Sequence, residues 1–384
     1  MKNTTRYLLL LYALIFFQHS VYSQNSEIDS LTTVLENHQE NDTTKVNILQ
    51  ALATYYSKND VNKALDYIDI SESISETLDY KKGAARSIFL KGTFEMEQSH
   101  FTEAMQYFMT ASQLYQELGD TIKLAECFTK LGHCAYNSND FKSAIAYFEK
   151  AVATDKKNGN AESVAKNLKQ IGYGYFDMSE YDIARTYFDE ALAINIKNGY
   201  QKETSSCYNI IGAIYSKRDN YPNALEFYNK ALTISENIKD TIEISKNLNN
   251  IAIIYKAYGK YDKALENYEK AYAVQLKIGD QEGIATLLNN IGSIHLKKEA
   301  YDKALANYNE ALQINRKINR KINISRNLTN IGNTYLTLEK YKLAEEYYKE
   351  ANLVSLEIDY QIGICNTYRG LAASLFFKKN MTKH

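Results

Sequence analysis

At 384 residues the chain could hold two or three ordinary domains, and its 45 basic and 46 acidic residues are intermixed throughout. Bulk charge therefore offers neither a nucleic-acid footprint nor a match for a generally acidic partner. One Pro, 16 Gly and no Trp leave few breakers in so long a chain, which suits long helices joined by tight turns.

Residues 1–23 read as a secretory signal peptide. Lys2 and Arg6 precede an apolar run from Tyr7 to Phe17, and the end Val21-Tyr22-Ser23 predicts cleavage between Ser23 and Gln24. The run of 11 residues is well short of the roughly 20 apolar residues that span a bilayer. The product is expected to be exported, periplasmic or secreted, with membrane attachment only through an uncleaved signal segment. No Cys lies near the cleavage site, which argues against a lipid anchor.

From there the chain repeats every 40 residues. Residues 24–41, with Ile28, Leu31 and Leu35, are in register with Ile68, Ser71 and Ser75, and predict an unpaired second helix that caps the array. Eight helical hairpins are expected over 42–360, with first helices near 43–57, 82–98, 122–138, 162–178, 202–218, 242–258, 282–298 and 322–338. Their second helices begin near 61, 101, 141, 181, 221, 261, 301 and 341. The stretch 242–280 typifies them: Leu248, Ile251, Ala252 and Tyr255, then a turn at Tyr258-Gly259, then Ala264, Tyr268 and Ala271.

Small residues recur where helices must approach. Gly92, Gly132, Gly172, Gly212, Ala252, Gly292 and Gly332 stand 40 apart on the first helices, and Ala64 through Ala344 keep one phase on the second. Gly costs up to ~1 kcal/mol inside a helix, so its repetition implies close packing. Phe108, Phe148, Phe188, Tyr228, Tyr268, Tyr308 and Tyr348 are the large residues expected to fill those gaps. Between hairpins, Gly119-Asp120, Gly159-Asn160, Gly199-Tyr200 and Gly279-Asp280 combine a left-handed helix end with a capping residue for the next helix. Pro222, the single Pro, falls at a helix start, where its missing amide hydrogen costs little.

Cys127 and Cys134 lie on one predicted helix, about 10.5 Å apart along its axis at ~1.5 Å per residue, beyond disulfide reach. Cys207 and Cys365 fall in distant repeats, so four free apolar thiols are expected. Residues 361–384 form a last capping helix and tail. Residues 361–377 have the pattern of a ninth first helix, with Phe376 and Phe377 better suited to burial than to exposure.

These residues resemble the tetratricopeptide repeat. Its pattern of an aromatic, an aliphatic-Gly pair, a Tyr, and Ala followed four residues later by an aromatic appears as Tyr208, Ile211-Gly212, Tyr215, Ala224 and Tyr228. The period exceeds the usual 34 residues and the closing Pro is absent. That is similar to the longer kinesin light chain type and to exported arrays of Bacteroidetes bacteria. The resemblance implies an all-α, right-handed α-solenoid, a superhelix of about eight full repeats with a half-repeat at each end and first helices lining an inner groove.

One pattern is left over after packing. Asn209, Asn249 and Asn289 share one phase of the first helices, and Asn250, Asn290 and Asn330 share the next. Asn is a mediocre helix former, so a row of them in helix interiors needs a reason. A side-chain amide both donates and accepts, and a row can match the backbone of an extended peptide without reading its sequence. In kinesin-light-chain-like arrays the matching Asn residues contact peptide, which by resemblance assigns that role to Asn250, Asn290 and Asn330. The alternative is that the amides bond neighbouring repeats to each other. Lys246, Lys256, Lys297 and Arg326 are expected on the same face, making this half of the groove basic and suited to an acidic or carboxylate-ended segment. The carboxylate clamp of chaperone-tail binders is not reproduced: Asn249 is followed four residues later by Ile253, and Asn289 by Ser293.

In the N-terminal half, Phe89, Met96, His133, Tyr136, Tyr173 and Phe176 face or flank the groove, and packing is favoured over a hydrophobic subsite. The His residues are scattered, and no HExxH, CxxC or Gly-x-Ser-x-Gly spacing occurs. His133 and Cys134 are sequence neighbours whose side chains diverge by about 100°. The run Arg316, Lys317, Arg320, Lys321 reads as a solvated helix end. The sequence therefore points to no enzyme, no cofactor and no metal. It points to a binding scaffold of the cell envelope whose partner is a protein or extended peptide, or to the sensor half of a signalling protein whose output domain lies elsewhere.

Overall fold

The computed structural model describes residues 28–381, which are helical with short turns and contain no strand. The signal segment lies outside the described residues. The chain divides into two compact units, 1–194 and 195–384. The first holds α1 (28–37), α2 (Thr43–Tyr56), α3 (Val61–Thr77), α4 (Lys81–Glu97), α5 (Phe101–Glu117), α6 (Thr121–Asn137), α7 (Phe141–Asn158), α8 (Ala161–Asp177) and most of α9 (Tyr181–Asn198). The second holds the end of α9, then α10 (Gln201–Lys217), α11 (Tyr221–Asn237), α12 (Thr241–Ala257), α13 (Tyr261–Ile278), α14 (Gln281–Lys297), α15 (Tyr301–Lys317), α16 (Lys321–Thr337), α17 (Tyr341–Glu357) and α18 (Gln361–Met381). Even-numbered helices are the first helices of hairpins. Within each unit consecutive helices pack, and neighbouring first helices also meet, as α10 with α12 and α14 with α16.

Local chemistry sets the ends. Asp120, Asp140, Asn160 and Asp240 each accept a backbone N–H three residues on, Asp120 from Lys123 at 3.0 Å. At the turn inside the α12–α13 hairpin, Gly259 has φ +71°, and Lys260 N–H returns to Tyr255 O at 2.9 Å. That closes the orphan carbonyls of α12. Ser99 and Asn139 take the same left-handed conformation at the equivalent turns.

The expected alternation of small and large residues is what joins each hairpin. A Cβ placed on Gly292 would lie 2.8 Å from the Tyr308 ring, one on Gly132 2.6 Å from Phe148, and one on Gly332 2.9 Å from Tyr348. Ala264, Ala304 and Ala344 are fully buried. At the N-terminal end Ile28, Leu31 and Leu35 of α1 pack with Ile48 and Leu52 of α2. At the other end Phe377 stacks on Tyr341 at 5.9 Å, while Phe376 stays 62% exposed.

Candidate functional site

All ten residues singled out as ligand-binding lie in the second unit, on α10, α12, α14 and α16. The asparagines meet across repeats in a fixed register. Asn250 Nδ2 donates to Asn209 Oδ1 (3.4 Å), Asn290 Nδ2 to Asn249 Oδ1 (3.0 Å) and Asn330 Nδ2 to Asn289 Oδ1 (2.8 Å). Each pair spans 41 residues, one repeat plus one residue. The amides therefore bond neighbouring repeats together, yet they are only half-buried. Among the described residues the side-chain oxygens of Asn250, Asn290 and Asn330 accept no hydrogen bond, which leaves a row of preoriented acceptors.

A second polar row lies beneath the first. Asn247 and Asn327, three residues before Asn250 and Asn330, are at most 1% exposed, and Asn167 of the first unit, at the same repeat phase, is equally buried. Asn247 accepts from Asn209 (2.5 Å) and donates to Ser235 Oγ (2.9 Å). Asn327 donates to Asn289 Oδ1 (3.1 Å) and accepts from Asn315 Nδ2 (2.8 Å). In the first unit Asn167 donates to Asp155 (3.3 Å), and burial pushes the Asp155 carboxyl up from its usual value. Sequence reasoning missed this row. The signal for it was there: KNL at 166, KNL at 246 and RNL at 326, each with a polar residue 12 positions earlier at 155, 235 and 315.

The cations separate into two groups. Lys256 and Lys297 are also 41 apart, seven residues beyond the Asn249–Asn290 pair on the same helices, so the two pairs lie on one stripe. Lys256 is half-buried and its Nζ donates to Ser293 Oγ at 2.7 Å. Neither lysine has a carboxylate partner among the described residues. Burial, with Lys297 adding repulsion, holds the Lys256 pKa below the usual 10.5. Lys246 and Arg326 stand elsewhere, at the mouths of clefts between successive first helices. Lys246 pairs with Glu243 at 2.9 Å, and Arg326 Nε donates to the Tyr360 hydroxyl at 3.2 Å. The cleft between α12 and α14, about 270 Å³, includes Lys246, Asn249 and Gln275. The one between α14 and α16, about 130 Å³, includes Asn289, Asn290, Asn315, Asn323 and Arg326.

The remaining candidates have structural partners. Phe89 packs edge-on against Phe108 (5.3 Å), His133 against Phe148 (5.1 Å), Tyr173 against Phe188 (5.2 Å) and Phe176 against Tyr181 (5.4 Å). Burial, then Lys130, holds the His133 pKa below its ordinary value. Tyr136 donates to Asp177. In the basic run Arg316 pairs with Glu350, Arg320 with Glu282 and Lys321 with Glu357. Cys127, Cys134 and Cys207 are free and buried, Cys365 free and exposed. Burial pushes the Cys127 thiol up to about 12 and Cys134 up to about 11, so neither supplies a thiolate near neutral pH. Among the described residues no group of three His, Cys, Asp or Glu could hold a metal, and no helix is long and apolar enough to cross a membrane.

The tetratricopeptide repeat family model matches residues 84–157, 163–237, 204–277, 243–317 and 283–351. The chain belongs to this family. Tetratricopeptide repeats make it a protein-interaction fold. Comparison with curated protein sequences returns no match. Among solved structures the chain is similar to a signal-transduction ATPase with a tetratricopeptide repeat sensor from Pyrococcus horikoshii, at 15% identity and TM-score 0.61 over 88% of this chain and 50% of that one. It is similar to a Rap protein complexed with Competence and Sporulation Factor, at 16% identity and TM-score 0.55 over 89% and 94%. It also resembles the Rap conjugation gene regulator of plasmid pLS20 in complex with the Phr* peptide, at 16% identity and TM-score 0.50 over 88% and 96%. At such identities these likenesses concern the fold.

Proposed function

We propose that this protein is a non-enzymatic scaffold of the cell envelope that holds an extended peptide or protein segment along α10, α12, α14 and α16. The observation that carries the reading is Lys256, a half-buried ammonium with no carboxylate partner among the described residues, beside Lys297, which likewise has none there. Desolvating a cation without pairing it is unfavourable, and an anionic group of a ligand would relieve it. The Asn249–Asn290 pair sits seven residues away on the same helices, about 10.5 Å at ~1.5 Å per residue. An extended segment covers that distance in roughly three residues at ~3.3 Å each. A ligand whose backbone crosses the amide row would thus bring a carboxylate to the lysine pair, which makes the partner acidic or carboxylate-ended. Two structural neighbours are complexed with a named factor or peptide, consistent with the same use of the fold.

The test is peptide capture from envelope extract, followed by affinity measurement on the captured peptide. Asn290→Ala with Asn330→Ala should weaken binding at least tenfold, and Lys256→Gln with Lys297→Gln should weaken acidic peptides selectively. Equal affinity with equal stability in both double variants would sink the proposal. Export is part of it: the mature protein should begin at Gln24, and an intact Met1 on protein recovered from cells would remove it. A second reading, a sensor half working with an output domain on another chain, is favoured by the Pyrococcus horikoshii neighbour, of which this chain covers half. Downstream coding sequence for an output domain would support that reading, and its absence would count against it.

A further inference from the structure

We infer that the cleft between α12 and α14 is a subsite for the phenol ring of a Tyr in the bound segment. This rests on the peptide-binding reading above and specifies it. The chain's own repeats supply the template for the occupant. Gly83, Gly283 and Gly363 hold one phase of the first helices, each three residues after the residue that precedes the helix, which is Tyr80, Asp280 or Tyr360. A Cβ on Gly83 or Gly363 would run into the ring of Tyr80 or Tyr360, and both glycines are buried beneath those rings. Between α16 and α18 the ring also lies under a cation. The Arg326 guanidinium is 5.8 Å from the Tyr360 ring centre, and its Nε donates to the hydroxyl at 3.2 Å.

Two repeats before Tyr360 the glycine is kept and the ring is gone. Asp280 is shorter than Tyr, so its carboxylate reaches only the inner end of the slot. Its Oδ2 lies 2.6 Å from a Cβ built on Gly283, where the near edge of the Tyr360 ring stands over Gly363, and Gln275 replaces Ser355 at the wall. The rest of the slot is the open cleft of about 270 Å³, lined by Lys246, Asn249, Gly283 and Leu287. Gly283 is accordingly half-exposed, where Gly83 and Gly363 are buried. A cavity of about 150 Å³ holds benzene, so a single ring fits. Lys246 stands two repeats before Arg326, over the place of the ring, and a cation there favours an aromatic face. Asp280 Oδ1 accepts the Glu282 and Gly283 N–H groups at 3.1 Å, while Oδ2, in an exposed residue, accepts no hydrogen bond among the described residues. A Tyr entering past Asn249 would lay its ring on Gly283 beneath Lys246 and donate its hydroxyl to Asp280 Oδ2. Leu meets neither charge, Phe leaves the carboxylate unmet, and Glu sets a second carboxylate against it.

The experiment is a positional-scanning library of capped nonapeptides bound to the purified wild-type protein, to Asp280→Tyr, to Lys246→Gln and to Asn290→Ala with Asn330→Ala. At one library position wild type should prefer Tyr over Leu by about tenfold, or ~1.4 kcal/mol, and over Phe by about threefold through the hydroxyl. Asp280→Tyr rebuilds the arrangement of Tyr360 on Gly363 and plugs the slot from within. The ratio to Leu should then fall below about two, with preferences at other positions unchanged. Helix α4 starts on Tyr80 without a side-chain cap, so this variant is expected to fold. Lys246→Gln, a change at an exposed residue, should lower the ratio about threefold and carries the test should Asp280→Tyr fail to fold. The inference is overturned by a wild type that takes Leu or Phe as well as Tyr at every position, by a preference for Glu in place of Tyr, or by both single variants retaining the full ratio. Binding that persists without a Tyr preference removes this subsite alone. Binding absent from wild type, or indifferent to the Asn290/Asn330 double variant, removes the peptide reading with it.

Discussion

Replacing Asn327 by Leu tests the buried polar row at its centre. Asn327 is 1% exposed, donates to Asn289 and accepts from Asn315. The substitution removes two hydrogen bonds, each worth ~0.5–1.5 kcal/mol net, and leaves the buried Asn315 amide with neither end paired, at ~1–3 kcal/mol. A buried Leu returns about 2 kcal/mol, as Leu287 does at this phase one repeat earlier, where it is 3% exposed. The net expectation is a destabilisation of about 2 kcal/mol. Adding Asn315→Leu removes the orphaned amide, so the double variant should be more stable than the single effects predict by ~1–2 kcal/mol. Repeat arrays can open piecewise, so the urea midpoint should be paired with hydrogen exchange of the α14–α16 amides. A single variant within about 0.5 kcal/mol of wild type, or strictly additive effects in the double, would refute the reasoning.

Lys256→Met should stabilise the protein at pH 7 by about 1 kcal/mol or less while weakening acidic ligands. Because the folded pKa lies below the 10.5 of a free lysine, the charge penalty is full below the folded value and fades as pH rises from there toward 10.5. The wild type should therefore close the gap to the variant as pH rises toward 10.5, read by denaturant titration; a gap that stays constant up to that pH would contradict this. Ala264→Leu should overpack the α12–α13 hairpin against Tyr268 and cost roughly 1–3 kcal/mol; an unchanged melting curve would disprove the assignment. Asp120→Ala removes the acceptor for Lys123 N–H and should cost about 1 kcal/mol, visible as faster hydrogen exchange in the first turn of α6.

The hairpins were legible in the sequence because their determinants are local or strictly periodic. Gly292 facing Tyr308 and Ala264 beside Tyr268 need only a repeat phase and a helix period to be read, as does the turn at Gly259. The outer asparagine row was legible as a pattern, though its bonding was not. Asn290 could be seen to repeat Asn250; that it reaches Asn249 rather than Asn250 depends on how far one hairpin is displaced along the next. The buried row escaped for a related reason. Asn327 three residues before Asn330 looks like any polar residue in a helix, until packing places it under the first row against Asn315. Likewise the basic run Arg316 to Lys321 reads as exposed charge in the sequence, and only the packed helices bring Glu350, Glu282 and Glu357 to it.

By itself the sequence determined the all-helical class, the 40-residue unit, the hairpin boundaries and the residues that fill each joint. Each of these follows from side-chain size, backbone preference and a period. The tertiary structure decided which amide meets which, that Lys256 and Lys297 share a stripe with no carboxylate partner among the described residues, and that Asn327 is held between Asn289 and Asn315. Those are contacts across repeats, set by the offset between stacked hairpins, and a repeat period carries no record of that offset.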